Sequence, residues 1–375
     1  MSADRASFFS VLHENIRDRL SGNQGRANAR LGLVKPPAGQ SRLIWIRAGA
    51  TRDSVLLAAG LMAAIRRKRL DVRLVLTYEK EYPDVIVDQL SGMEKIGFGY
   101  ACANNTSIEM RMLNRLNPFA IIFAGHPAGR GIVQALGKHP VKHLVNFQTT
   151  EVPYFKPEAS YPTCNNTQHE YALEAMTLLM QSQVDAQLGA LLKGSKQREL
   201  FLLVSYEAST EVSEILSAWQ KSLLSDNNIL CLYVAGQTDE INRSIKNLGL
   251  TVVKLSEWDR ASSIEQQIVL LDEWRWFAAT AASASAIHIF DMSPLNFWQS
   301  MASGSVITIA PTSELIANIE LPQKNTHEIL TYWENMTENT FQYRKLADDN
   351  RRQFWEYRRQ AQEKIDHLLQ RVYDW

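Results

Sequence analysis

Leu43-Ile44-Trp45-Ile46-Arg47-Ala48-Gly49-Ala50-Thr51-Arg52-Asp53 decides the fold. Its apolar run, residues 43–46, is too short for a helix and suits a strand buried on both faces. A turn containing Gly49 follows. From Asp53 the period changes: Val55, Leu56, Ala59, Met62 and Ala63 recur at helical spacing through residue 67. The helix ends in Arg66-Arg67-Lys68-Arg69, and basic groups suit the negative end of its dipole. A buried strand, a short turn and an amphipathic helix open a parallel α/β unit.

Outward from there the same alternation continues. Residues 72–76, 120–124 and 142–147 read as strands, and 108–116 as a helix stopped by Asn117-Pro118. A Gly125-His126-Pro127 turn follows the second of these strands, and residues 170–192 read as a long helix. Lys193-Gly194-Ser195-Lys196-Gln197-Arg198 is small, polar and charged, and reads as a linker. The rhythm then repeats, with strands at 201–205, 229–234, 252–255, 268–271, 287–290 and 306–309. Helices are expected at 211–224, 240–248, 272–282 and 295–303, the last capped by Gly304. A charged helix spans 338–373 and is expected to pack back across the domain junction. The fold class is therefore α/β: two Rossmann-like domains, 1–192 and 199–375, facing a central cleft. Ligands are expected beyond the carboxyl ends of the strands.

Bulk properties narrow the function. The chain has 375 residues with Lys+Arg and Asp+Glu both at 40, so its net charge is zero. Nonspecific nucleic-acid binders are usually basic, so no nucleic-acid partner is expected. Cys102, Cys164 and Cys231 lie far apart without metal-ligand spacing, which fits a reducing compartment and no metal. No apolar run approaches the ~18 residues of a membrane span. A cytoplasmic protein is expected, with any membrane contact peripheral. Phe8, Leu12 and Ile16 share one face of a short N-terminal helix, with Arg17 and Arg19 nearby. Such a helix suits either an anionic membrane surface or packing on the protein.

Residues 43–53 resemble the Kdo (3-deoxy-D-manno-octulosonic acid) transferase segment L-I-W-[IL]-H-A-x-S-V-G-E. Arg115-Leu116-Asn117-Pro118 continues the likeness. Residues 271–289 resemble the family stretch from L-G-D-T-M-G-E-L to A-D-x-A-F, and 296–311 resemble N-P-L-E-P-A-A-x-G-x-P-V-x-x-G-P. The order of these weak matches covers most of the chain. The resemblance implies the glycosyltransferase-B fold and an inverting, metal-independent transfer. The sugar, Kdo from CMP-Kdo, would pass to a lipid A precursor or another glycolipid in lipopolysaccharide biosynthesis, with no cofactor beyond the nucleotide sugar.

By the same resemblance Asp53 is the general base on the acceptor hydroxyl, with Arg47 and Arg52 on the acceptor side. Helix capping is the alternative role for Asp53. His126 replaces the family's acids after its strand and can exchange protons near neutrality. Ser205, Gln237, Asp272, Arg275, Ser293, Asn296 and Gln299 fall at donor-side positions. Gln237 stands where the family has basic residues, and Gln299 where it has an acid. Ser293-Pro294 suits the start of a helix that receives the donor phosphate. Trp274 and Trp276 lie two apart on a helix and face different sides. These replacements keep a second class open, a non-catalytic relative that binds a glycolipid, nucleotide sugar or protein. A nucleotide-sugar epimerase of related fold or a nucleotide-binding regulator ranks third.

Overall fold

A computed structural model describes residues 7–124, 128–139, 141–147, 186–193, 198–205, 210–234, 238–259, 264, 268–291, 294–311 and 319–375. Two compact units emerge: Met1–Gln181 with Gln360–Trp375, and Ser182–Arg359.

The first unit is a five-stranded parallel sheet in the order β3-β2-β1-β4-β5. Its strands are β1 (Leu43–Ala48), β2 (Arg73–Tyr78), β3 (Ile96–Tyr100), β4 (Ala120–Ala124) and β5 (His143–Phe147). β1 is central and buried along its whole length, with Trp45 in register between Val75 and Ile121. Helix α3 (Arg52–Lys68) crosses from β1 to β2 and buries residues 53–63 without a gap. Ala58, Ala59, Gly60 and Ala63 keep that helix slim enough for close packing. Helix α5 (Thr106–Leu116) packs Ile108, Met112, Leu113 and Leu116 into the core beside Trp45, Ile121 and Phe123.

Several elements escape the sequence reading. β3 is an edge strand, Ile96-Gly97-Phe98-Gly99-Tyr100, half exposed and therefore without an apolar run. A Cβ on Gly97 would lie 3.2 Å from the Pro37 ring, which accounts for that glycine. Helix α4 (Pro83–Leu90) is short and starts on a proline. Helices α1 (Phe8–Leu20) and α2 (Gln24–Arg30) pair beside the sheet. The far chain end docks on the same unit: Trp375 stacks on His143 at 4.7 Å, and Arg42 and Arg69 donate to the carbonyls of Trp375 and Val372.

The second unit is a six-stranded parallel sheet, β11-β10-β6-β7-β9-β8. Its strands are β6 (Leu200–Ser205), β7 (Ile229–Val234), β8 (Val252–Lys254), β9 (Ile268–Leu271), β10 (Ala286–Ile289) and β11 (Val306–Ile309). Phe201, Trp219 and Trp333 stack in its core. Helix α12 (Pro294–Ser303) ends on Gly304 at φ +76°, the left-handed conformation that closes a helix. The helix expected from residue 272 begins at Phe277 as α11 (Phe277–Ser283), after a 3₁₀ turn over Trp274–Trp276. The terminal helix α14 (Thr340–Asp374) is preceded by a separate α13 (Ile329–Glu338). The long helix expected at 170–192 lies largely outside the described residues, where only Ala186–Lys193 appears.

Candidate functional site

In the first unit the chain passes from β1 to β2 on one side and returns to β4 on the other. That reversal makes the carboxyl ends of β1 and β4 the topological switch point. The turn after β1 is tied down from every direction. Gly49 N–H donates to Ser54 Oγ at 2.7 Å, and the Ser54 hydroxyl donates to the Ala124 carbonyl at 2.6 Å. Tyr82 OH donates to Ala50 O at 2.9 Å, and Glu79 N–H to Gly49 O at 3.1 Å. Thr51 Oγ1 accepts from Ser54 N–H at 3.2 Å and is the N-cap of α3. The capping role open to Asp53 therefore falls to Thr51. Asp53 sits in the first turn, 9% exposed, where the helix dipole favours its carboxylate.

Beneath that turn lies a buried ion pair. Arg47 donates from both Nη atoms to Glu109 on α5, at 2.7 and 2.8 Å. The guanidinium also lies over the rings of Trp45, at 4.6 Å, and Phe123, at 5.7 Å. Burial alone would lower the Arg47 pKa, but the charge and hydrogen bonds of Glu109 outweigh it and hold it raised. Cys102 donates from Sγ to Glu109 at 3.1 Å. Burial, reinforced by the Glu109 charge, pushes its thiol well above the ordinary value. Cys102 is thus a neutral donor rather than a nucleophile. Arg47, expected on the acceptor side, is consumed by this pair. Arg52 is ion-paired with Asp84 and lies 5.3 Å from the Tyr82 ring centroid.

A cavity of about 800 Å³ opens at the carboxyl ends of β1, β2 and β3. Glu14, Arg26, Arg30, Lys80, Glu81 and Asn104 give it polar walls, Cys102 lines it, and Ala50 brings it to the turn before Thr51. Tyr100 OH donates to Glu81 at 2.6 Å, and Arg26 lies 5.6 Å from the Tyr100 ring.

In the second unit the switch point is at β6 and β10. Ser205, buried, ends β6, and α12 is the next helix in the chain after β10. The N-terminus of α12 thus lies at the end of the sheet where an anion is favoured. Asn296 and Gln299 are buried in this helix, with Asn296 Nδ2 donating to Gln299 Oε1 at 3.3 Å. Asp272 and Arg275 lie elsewhere, after β9. Asp272 accepts from the Ser256 N–H at 3.1 Å and from its hydroxyl, fixing the turn after β8. Arg275 is exposed, paired with Glu273 at 2.5 Å and set over the Trp276 ring at 4.6 Å. Ser205, Asn296 and Gln299 therefore share the switch-point end, whereas Asp272 and Arg275 do not. His126, Gln237 and Ser293 lie outside the described residues.

Three functional or supporting residues escape the sequence reading. Glu109 is a charge on the apolar face of α5, and that placement is its signal. Ser54 has none, since a serine in a first helical turn is ordinary. His288 interrupts the apolar strand β10; its Nδ1 lies 2.9 Å from Thr308 Oγ1, and its ring meets Phe290 edge to face. Burial pushes its pKa down to about 3, so the imidazole stays neutral. Between that value and the ordinary 6.5 the unfolded chain binds a proton that the folded one refuses. Stability from this group is full above pH 6.5 and falls as the pH drops, by about 2 kcal/mol at pH 5. Urea titrations from pH 7 to 4.5 should show this slope, and His288→Gln should flatten it; an unchanged slope rejects the assignment.

No protein-family model and no curated protein matches the chain by sequence. Solved structures do match. UDP-GlcNAc 2-epimerase from Neisseria meningitidis bound to UDP-GlcNAc aligns over 88% of this chain and 100% of its own, at 12% identity and a TM-score of 0.55. An Anabaena protein in complex with UDP-glucose aligns over 88% and 100%, at 11% identity and a TM-score of 0.52. The C-terminal CMP-Kdo binding domain of WaaA from Acinetobacter baumannii aligns over 45% of this chain and 97% of its own, at 15% identity and a TM-score of 0.37, too low to bear on function. The fold is thus glycosyltransferase-B-like, with two Rossmann-like α/β domains.

Proposed function

We propose that the chain is an inverting glycosyltransferase that moves a sugar from a nucleotide donor to the hydroxyl of a glycolipid acceptor. One observation carries the reading. A carboxylate, Asp53, stands in the first turn of α3 at a switch point, after a turn held by Ser54, Thr51 and Tyr82 whose Ala50 lines a cavity of about 800 Å³. Asp53 removes the acceptor proton as the hydroxyl attacks the anomeric carbon. The bond to the donor phosphate breaks on the opposite side, and the leaving phosphate takes its electron pair. A helix N-terminus favours an anion, and that of α12 is the candidate to receive the donor phosphate. The scheme calls for no metal ion. The UDP sugars on the Neisseria and Anabaena structures support a nucleotide-sugar ligand here. The resemblance of residues 43–53 and 296–311 to Kdo transferases supports CMP-Kdo as the first donor to try and lipid A precursors as the first acceptors.

A second reading, a non-catalytic binder, is favoured by the donor-side groups already engaged within the chain. Asp272 serves the Ser256 turn, and Gln299 is bonded to Asn296. Nucleotide binding tests the first reading. CMP, UDP, GDP and their sugar conjugates are added singly while thermal unfolding is followed. A true ligand at about 100 times its Kd adds about 2.7 kcal/mol, a rise of several degrees. Stabilisation by CMP alone points to CMP-Kdo, and by UDP or GDP alone to another donor. If no nucleotide shifts the transition, the transferase reading fails.

A further inference from the structure

The cavity of the first unit, about 800 Å³, is charge-balanced by its own walls. Its six charged side chains are three acids, Glu14, Glu79 and Glu81, and three bases, Arg26, Arg30 and Lys80. The two arginines are turned onto the acids of α1. Arg30 is ion-paired with both Glu14 and Asp18, and Arg26 lies 3.8 Å from Asp18. Lys80 lies 5.3 Å from the Tyr82 ring centroid. An anionic ligand would have to compete with carboxylates already seated on the arginines.

One carboxylate in the wall is held ready to accept. Tyr78 and Tyr100 are register partners on β2 and β3, with their rings edge to face at 5.3 Å. Both hydroxyls reach the loop after β2. Tyr78 OH donates to Glu81 Oε1 at 3.3 Å, and Tyr100 OH to Glu81 Oε2 at 2.6 Å. Burial first, and then Glu81, raises the pKa of both phenols, so both stay protonated donors. Each carboxylate oxygen is thus fixed by one phenol and has a second lone pair left to accept with. Glu81 is exposed and lines the cavity, so that capacity is open to a ligand.

We propose that Glu81 is the specificity residue of this cavity, accepting hydrogen bonds from two neighbouring hydroxyls of an uncharged sugar ring. A carboxylate with one oxygen for each hydroxyl matches a vicinal diol as it matches the two N–H groups of an arginine fork. The Tyr100 ring, half-buried beside it, offers a surface to the apolar face of the sugar. A phosphate has no such donors and meets the like charge of Glu81. A cavity of this volume suits a ligand as large as a disaccharide. As acceptor, a role that rests on the transferase reading, the sugar sits beside Ala50, in the turn that leads to Asp53. Any phosphate that the acceptor carries lies outside the cavity.

The test is saturation-transfer NMR on the full chain, with no nucleotide added. The probes are cellobiose, lactose and N,N′-diacetylchitobiose, all uncharged, with inorganic phosphate as competitor. At least one disaccharide is expected to bind at millimolar concentration, and phosphate to leave that binding unchanged. Glu81→Gln should raise its Kd about tenfold, because a neutral acceptor replaces a charged one. Tyr100→Phe, which frees one oxygen of the carboxylate, should cause a smaller rise. Glu81 is exposed and Gln still accepts from a phenol, so the melting temperature should not move. Binding of none of the three disaccharides overturns the proposal, as does displacement by phosphate or wild-type affinity in Glu81→Gln. Sugar binding without stabilisation by any nucleotide leaves Glu81 in this role and removes the transferase; stabilisation by a nucleotide without sugar binding does the reverse.

Discussion

Asp53→Asn is expected to lower the rate of sugar transfer by about 10²–10⁴-fold, the contribution of a positioned general base. The fall should appear in kcat, with nucleotide-induced thermal stabilisation unchanged, because the proposed reading assigns the donor to the second unit. Asn is nearly the size of Asp and preserves the packing of a residue only 9% exposed. The cap of α3 survives, since Thr51 and not Asp53 accepts the Ser54 N–H. The dipole of the helix loses one acid in its first turn, a contribution of about 0.3–1 kcal/mol. A structural role and a catalytic one thus predict different sizes of effect on different readouts. Asp53→Glu, one methylene longer with the same base, should keep a measurable part of the rate. If Asp53→Asn transfers sugar at the wild-type rate, the base lies elsewhere. His126, which follows β4 in the sequence, is then the next residue to replace.

Glu109→Gln should cost about 3–5 kcal/mol of unfolding free energy, because it leaves Arg47 as a buried cation without a counter-charge. Both nitrogens of the guanidinium fork end on that carboxylate, and both side chains are nearly inaccessible. Such a loss is a large share of the 5–15 kcal/mol that holds a typical domain folded. Arg47→Met with Glu109→Leu should recover most of it, since apolar replacement of a buried pair is often neutral. Urea unfolding of the single and double variants measures both quantities. A cost below about 1 kcal/mol for Glu109→Gln would mean that water reaches Arg47 and the pair is a surface one. The pair lies under the turn that carries Asp53, so the double variant also tests whether charge or mere packing supports that turn. Near-normal transfer by the refolded double variant would assign the support to packing.

Local pattern carried most of the architecture. An apolar run of four to six residues has nowhere to go but a buried strand, and residues 43–46, 120–124 and 201–205 became β1, β4 and β6 for that reason. Helical periodicity likewise marked α3, α5 and α12. One edge strand was not legible: β3 is half exposed and interrupted by two glycines, so solvent on one side erases the pattern. The order β3-β2-β1-β4-β5 is a property of pairing between distant segments, and it decides which loop ends become switch points.

The candidate site divides along the same line. The resemblance of short segments pointed to Asp53 and to the start of α12. Only tertiary structure decided that Thr51 holds the cap, that Arg47 belongs to Glu109, and that Asp272 belongs to Ser256. Those partners lie as much as 62 residues away along the chain, and nothing local distinguishes a carboxylate that will meet a substrate from one that will meet an arginine. The same holds for α1. Its amphipathic stripe was written in the sequence, but the side that faces water was settled by Arg30 reaching Glu14 and Asp18. Periodicity fixes which residues share a face; the competition of long-range contacts for that face sets what it meets.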